Sequence, residues 1–64
     1  MLCISVPALA KEWHKDPSRI YELAARDDDP LPVRYLPDDR YGTILVSEFE
    51  AWMMRNTVLL KERA

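Results

Sequence analysis

Scarcity sets the first limits on what these 64 residues can do. Glycine occurs once, so there is no glycine-rich loop to cradle a phosphate or organise chemistry. The lone cysteine, Cys3, cannot close an internal disulfide; it reads as a small apolar residue of a chain from a reducing compartment. The lone histidine, His14, lies in a turn with no companion ligand at a useful spacing, and it reads as structural. Asp27, Asp28 and Asp29 are consecutive and lack the alternating ligands of a calcium loop. No catalytic residue, metal site or cofactor is therefore expected, and the chain is not read as an enzyme. No apolar run approaches membrane-spanning length, and residues 1–5 lack the basic start and apolar core of a secretory leader. A cytoplasmic location without a membrane partner is expected.

Positive charge is also short. Nine Lys and Arg stand against eleven Asp and Glu, for a net charge of −2. Affinity for nucleic acid comes largely from neutralised phosphates, so this balance counts against a uniformly basic surface. Two knots hold much of the acid, Asp27-Asp28-Asp29 and Asp38-Asp39. Outside them the balance is basic.

What is present is a folded domain. The hydrophobic content of 48% separates the chain from disordered sequences, and its length fits one domain over residues 1–64. A chain this short buries only about 60% of its unfolded surface, which leaves no room for an ordinary small-molecule substrate pocket beside a core.

Val6, Leu9, Ala10 and Trp13 recur at helical spacing, with Ser5 as N-cap and Pro7 in the first turn. That helix is expected to end at His14 or Lys15. Asp16 followed by Pro17 starts a second helix, with Ile20, Leu23 and Ala24 turned inward and Ser18, Arg19, Glu22 and Arg26 on the opposite side. The residues from Asp27 to Pro32 break it, because three aspartates oppose the dipole at a helix C-terminus. Residues 33–36 and 43–46 are β-rich and flank a six-residue tip, which predicts a hairpin with Gly42 at a positive φ. Ser47 and Glu50 form the pattern of a capping box for a third helix running to about residue 62. Its apolar face is expected to carry Phe49, Trp52, Met53 and Leu60. Trp13, Phe49 and Trp52 are the expected large core side chains, whereas Val58, Leu59 and Leu60 are candidates for a partner surface.

Four segments carry a resemblance: Ser5-Val6-Pro7-Ala8-Leu9-Ala10, Ser18-Arg19-Ile20-Tyr21, Leu31-Pro32-Val33-Arg34 and Ser47-Glu48-Phe49-Glu50-Ala51-Trp52. In this order, over about residues 4 to 53, the chain resembles the excisionase-like and MerR-like winged helix-turn-helix domains. The expected fold is mainly α with a small β-hairpin, in the order α-α-β-β-α. The sequence differs from the family where Trp13-His14 replaces a Leu-Gly turn, where Pro17 and Glu22 hold frequent arginine positions, and where Asp38-Asp39-Arg40 replaces Gly-Gly-Arg.

The resemblance implies double-stranded DNA as partner, with the second helix in the major groove and the hairpin as a wing. Arg19, in the first turn of that helix, is the candidate for reading a guanine edge. Ser18 and the helix N-terminus suit a phosphate oxygen. Tyr21 suits either a backbone contact or a half-buried core position, and Lys15 and Arg26 suit phosphates. Arg40 and Tyr41 suit a minor groove and its sugars. Glu22 could accept from cytosine N4 or pair with Arg19 or Arg26. Stand-alone members of the family are typically excisionases of phages and mobile elements, which bend DNA and assist an integrase. An integrase, or further copies of the chain on adjacent sites, is then the expected protein partner. A small transcriptional regulator and a protein-interaction module are the alternatives.

Overall fold

In the computed structural model, which describes residues 2–63, two strands and three helices follow one another as β1 (Cys3–Ser5), α1 (Val6–Trp13), α2 (Pro17–Ala25), β2 (Thr43–Leu45) and α3 (Val46–Asn56). A 3₁₀ turn at Leu60–Glu62 comes after them.

The first two helices begin where short-range chemistry puts them. Ser5 Oγ accepts from the Ala8 N–H at 3.3 Å, and Pro7 needs no partner in the first turn. Asp16 Oδ1 accepts from the Ser18 N–H at 2.9 Å, with Pro17 at the first helical position. Between the helices the chain reverses through His14, which sits at φ 56° and ψ 41°. The His14 N–H donates to Lys11 O at 3.4 Å and the Lys15 N–H to Ala10 O at 2.9 Å, a Schellman closure that covers the last carbonyls of α1. A histidine thus occupies a left-handed position that glycine takes at lower cost.

The expected hairpin is corrected. Residues 33–36 make no strand; one bridge, between Arg34 and Thr43, joins them to β2. The partner of β2 is β1, antiparallel, with Cys3 opposite Leu45, Ile4 opposite Ile44 and Ser5 opposite Thr43. Flanking bonds extend the ladder: Val6 N–H donates to Gly42 O at 2.9 Å, and Val46 N–H to Leu2 O at 3.1 Å. Burial explains the choice. Ile44 is fully buried and Ile4 packs on the core, whereas Tyr35 and Leu36 are exposed. Pro32 and Pro37, which carry no N–H, bracket the segment that stays out of the sheet. The order is therefore β-α-α-β-α.

Gly42 is also corrected, because its φ is not positive. Its role is spatial: a Cβ there would collide with Val33 Cγ1 and crowd Val6 Cγ2. Among the described residues the left-handed positions belong to His14 and to Asp29, at φ 47°.

The capping box at Ser47 does not form. Helix α3 starts two residues earlier than that cap would place it, after Leu45, without a side-chain cap. Strand β2 runs straight into the helix, and the sheet already takes the Val46 N–H. Nor does α3 continue to about residue 62. Asn56 Nδ2 donates to Trp52 O at 3.0 Å and the Thr57 hydroxyl to Met53 O, so side chains engage the carbonyls of the last turn and the backbone turns extended at Thr57. Leu60, assigned to the apolar face of α3, lies beyond it and is exposed.

Val6, Leu9 and Ala10 of α1, Ile20 of α2, Leu31, Ile44 and Trp52 form the buried core. Trp52 takes its expected place. Trp13 and Phe49 are half-buried at its edge, ring edge to ring face with centroids 5.4 Å apart. Among the described residues no helix is long and apolar enough to cross a membrane.

Candidate functional site

Helix α2 is fixed by Ile20, which is fully buried, and this orientation leaves its Arg19 and Glu22 in solvent. Their side chains are 58% and 60% exposed and approach to 3.9 Å, a separation at which an exposed ion pair restrains little. The Arg19 guanidinium thus keeps most of its donors free. Lys15, in the turn before α2, places its ammonium 5.6 Å from the centroid of the Trp13 ring.

Ser18 is placed differently from expectation. Its hydroxyl donates to Asp16 Oδ1 at 2.8 Å, and this bond together with the backbone one holds the Asp16 carboxyl below its ordinary range. The first turn of α2 therefore carries a carboxylate of its own, and an incoming phosphate would meet that negative charge beside Ser18.

Tyr21 joins α2 to the long loop of residues 35–42. Its hydroxyl accepts from the Gly42 N–H at 3.3 Å, and its polar interaction with the nearby Tyr35 phenol raises that phenol above its usual value. Of the two roles open to Tyr21, the half-buried structural one is observed. Arg40 and Tyr41 lie in this loop and are exposed, as are Asp38 and Asp39. The turn before them closes with the Asp39 N–H donating to Leu36 O at 3.0 Å.

Arg26 does not share the face of Arg19. It follows α2 as its C-cap; its guanidinium lies 5.7 Å from the centroid of the Trp52 ring and donates to Asn56 Oδ1 at 3.1 Å. Packing against α3 removes it from the group it was expected to join. The structure thus leaves Lys15 and Arg19 exposed at the start of α2, ties the loop bearing Arg40 and Tyr41 to α2 through Tyr21, and turns Ser18 and Arg26 to other partners.

Sequence reasoning missed two ion pairs. Arg34 donates from Nε and Nη2 to the two oxygens of Glu48 at 2.7 and 2.6 Å, which lowers the Glu48 carboxyl and raises the Arg34 guanidinium. Arg55 grips the Asp29 carboxylate at 2.8 and 3.0 Å while Asn56 Nδ2 donates to it at 2.7 Å, drawing its pKa down to about 2. The partners are far apart in sequence, and no local pattern connects them. The left-handed aspartate after a helix was the one available hint, since Asp and Asn tolerate that region better than most residues. With Arg26, Arg34 and Arg55 engaged in this way, Lys11, Lys15, Arg40, Lys61 and Arg63 are cations without a carboxylate partner among the described residues, and Arg19 has only its distant one.

In comparisons with known proteins, no family model, no curated protein and no solved structure matches this chain.

Proposed function

We propose that the chain binds double-stranded DNA in the manner of a winged helix-turn-helix domain. The exposed face of α2 enters the major groove, and residues 35–42 act as the wing. The observation that carries this reading is the bond from the Gly42 N–H to the Tyr21 hydroxyl, which fixes the base of the loop against α2. The same loop carries Arg40, an exposed cation without a carboxylate partner among the described residues. Arg19 then reads a guanine edge through O6 and N7, and Lys15 and Arg40 meet phosphates or the minor groove. The tight turn at His14 supports the same reading, because it sets α2 directly after α1 as a helix-turn-helix unit requires.

Few cations are available, so isolated binding is weak and strongly salt-dependent. Within this reading an excisionase role is the more specific assignment: the protein bends its site and works beside an integrase or further copies on adjacent sites. A transcriptional regulator would use the same surface without the bend. A protein-interaction module is favoured by a different observation, the exposure of Val58, Leu59 and Leu60 at 65%, 70% and 85%.

The test is a gel-shift titration on sites enriched from a random library at low salt. Arg19→Ala should lose roughly 1–3 kcal/mol on the best site and relax the preference at one base pair. Absence of any enriched site at low salt would overturn the reading. Circular-permutation mobility on the enriched site separates the bending role from simple regulation.

A further inference from the structure

Between α1 and α3 runs a shallow groove of about 290 Å³ lined by Leu9, Glu12, Trp13, Phe49 and Met53. It is smaller than an ordinary small-molecule site and has the dimensions of a seat for a few apolar side chains. The one charged residue of its lining is Glu12.

The same chain displays a segment of matching chemistry. Val58, Leu59 and Leu60 are three consecutive apolar residues, all well exposed, and Lys61, Glu62 and Arg63 follow directly. The backbone leaves α3 extended at Thr57 (φ −128°, ψ 160°), which carries this run away from the core. The molecule is correspondingly long, 44 × 25 × 21 Å, with a radius of gyration of 12.4 Å. A compact domain of this length would have about 11 Å. The run therefore does not fill the groove of its own molecule.

We propose that the groove receives residues 58–63 of a second copy of this chain. Leu59 and Leu60 enter against Trp13, Phe49 and Met53, and Lys61 meets Glu12. Charge complementarity selects this occupant: the groove's lining carries one carboxylate, Glu12, and the tail has an excess of positive charge, Lys61 and Arg63 against Glu62, beside its apolar run. Groove and tail are different surfaces of each copy, so the contact either closes reciprocally into a two-fold dimer or continues from copy to copy. The inference does not depend on DNA binding, and its failure would leave that reading untouched.

Sedimentation velocity over a concentration series up to about 1 mM tests it, because an association weaker than that range would have no useful strength. The wild-type chain should associate with rising concentration, and its tryptophan emission should shift to the blue as Trp13 is covered. Leu59→Asp with Leu60→Asp should weaken association at least tenfold, as expected for losing central anchors of an interface. Glu12→Lys and Lys61→Glu, both at exposed positions, should each weaken association alone and restore it when the two variants are mixed. Circular dichroism checks that all variants keep the wild-type fold. A monomer at every concentration would overturn the proposal, including one whose emission changes when the tail is altered, because the tail would then occupy its own groove. Association that ignores Glu12→Lys would also overturn it, since tails would then be meeting tails.

Discussion

The indole N–H of Trp52 donates to the main-chain carbonyl of Asp29 at 2.7 Å, so the largest side chain of the core is tied to the loop after α2. The Asp29 carboxylate meanwhile accepts from Arg55 and Asn56, one turn further along α3. The acidic knot is thus more than a helix stop. Its last residue fastens the loop to the end of α3, and its left-handed backbone permits both contacts at once.

Two substitutions separate the hydrogen bond of Trp52 from its bulk. Trp52→Phe keeps most of the ring but leaves the Asp29 carbonyl without its donor, a loss of about 1–2 kcal/mol. Trp52→Ala removes the ring altogether and should cost about 3–5 kcal/mol. Small domains have a total stability as low as about 5 kcal/mol, so urea titration should find the alanine variant with about 2 kcal/mol or less remaining, and at the low end up to half unfolded before denaturant is added.

Acid should destabilise the fold through its paired carboxylates. Asp29, Glu48 and Asp16 all have folded-state pKa values below their ordinary ones, Asp29 at about 2 because Arg55 and Asn56 bond its charged form. A depressed carboxylate contributes stability that is fully present above its unfolded pKa and is lost as pH falls through the folded one. The melting temperature should therefore be insensitive to these groups between pH 7 and about 5, and should fall progressively from about pH 4 toward pH 2. Asp29→Asn should melt lower at pH 7 and show a shallower acid slope. An unchanged slope would mean that the Arg55 contact does not persist in solution.

Gly42→Ala tests whether that glycine serves space or conformation. Its φ is not positive, so alanine meets no backbone penalty of the left-handed kind. It does meet Val33, and the overpacking should cost about 1–3 kcal/mol. Val33→Ala in the same chain should recover part of that loss in thermal melts, whereas a purely conformational cause would leave the double variant no better.

At His14 the expectation is reversed. A non-glycine residue at φ 56° carries a backbone cost, and the Schellman bonds require that conformation. His14→Gly should raise stability by about 0.5–1 kcal/mol, read as a higher urea midpoint at unchanged slope.

The loop offers a test of the proposed wing. Arg40→Ala should weaken DNA binding by a similar factor on every sequence and lower the salt slope by about one, as for one lost phosphate contact. Asp38→Asn with Asp39→Asn should strengthen binding by removing repulsion. If titrations across a range of salt concentrations find neither change, the loop does not approach the duplex.

Sequence alone determined the two helix starts, the turn between them, the inward placement of Ile20 and the burial of Trp52. These are short-range or strongly apolar features: a cap and the N–H it accepts from lie within three residues, and a helical stripe repeats within one turn. It also placed Arg19 outward, as the side opposite Ile20. Tertiary structure decided the partner of β2, the spatial role of Gly42, the first residue of α3 and its stop at Asn56. It likewise diverted Arg26 to Trp52 and made Tyr21 the tie to the loop. The stop of α3 rests on local bonds to Trp52 O and Met53 O, and in the other cases the deciding contact joins residues distant along the chain: Ile4 with Ile44, Val33 with Gly42, Leu2 with Val46, Arg26 with Trp52 and Tyr21 with Gly42. A local pattern reports which conformations a segment can adopt. Which of them forms depends on the apolar surface and the donors that other segments bring to it, and these meet only in the folded chain.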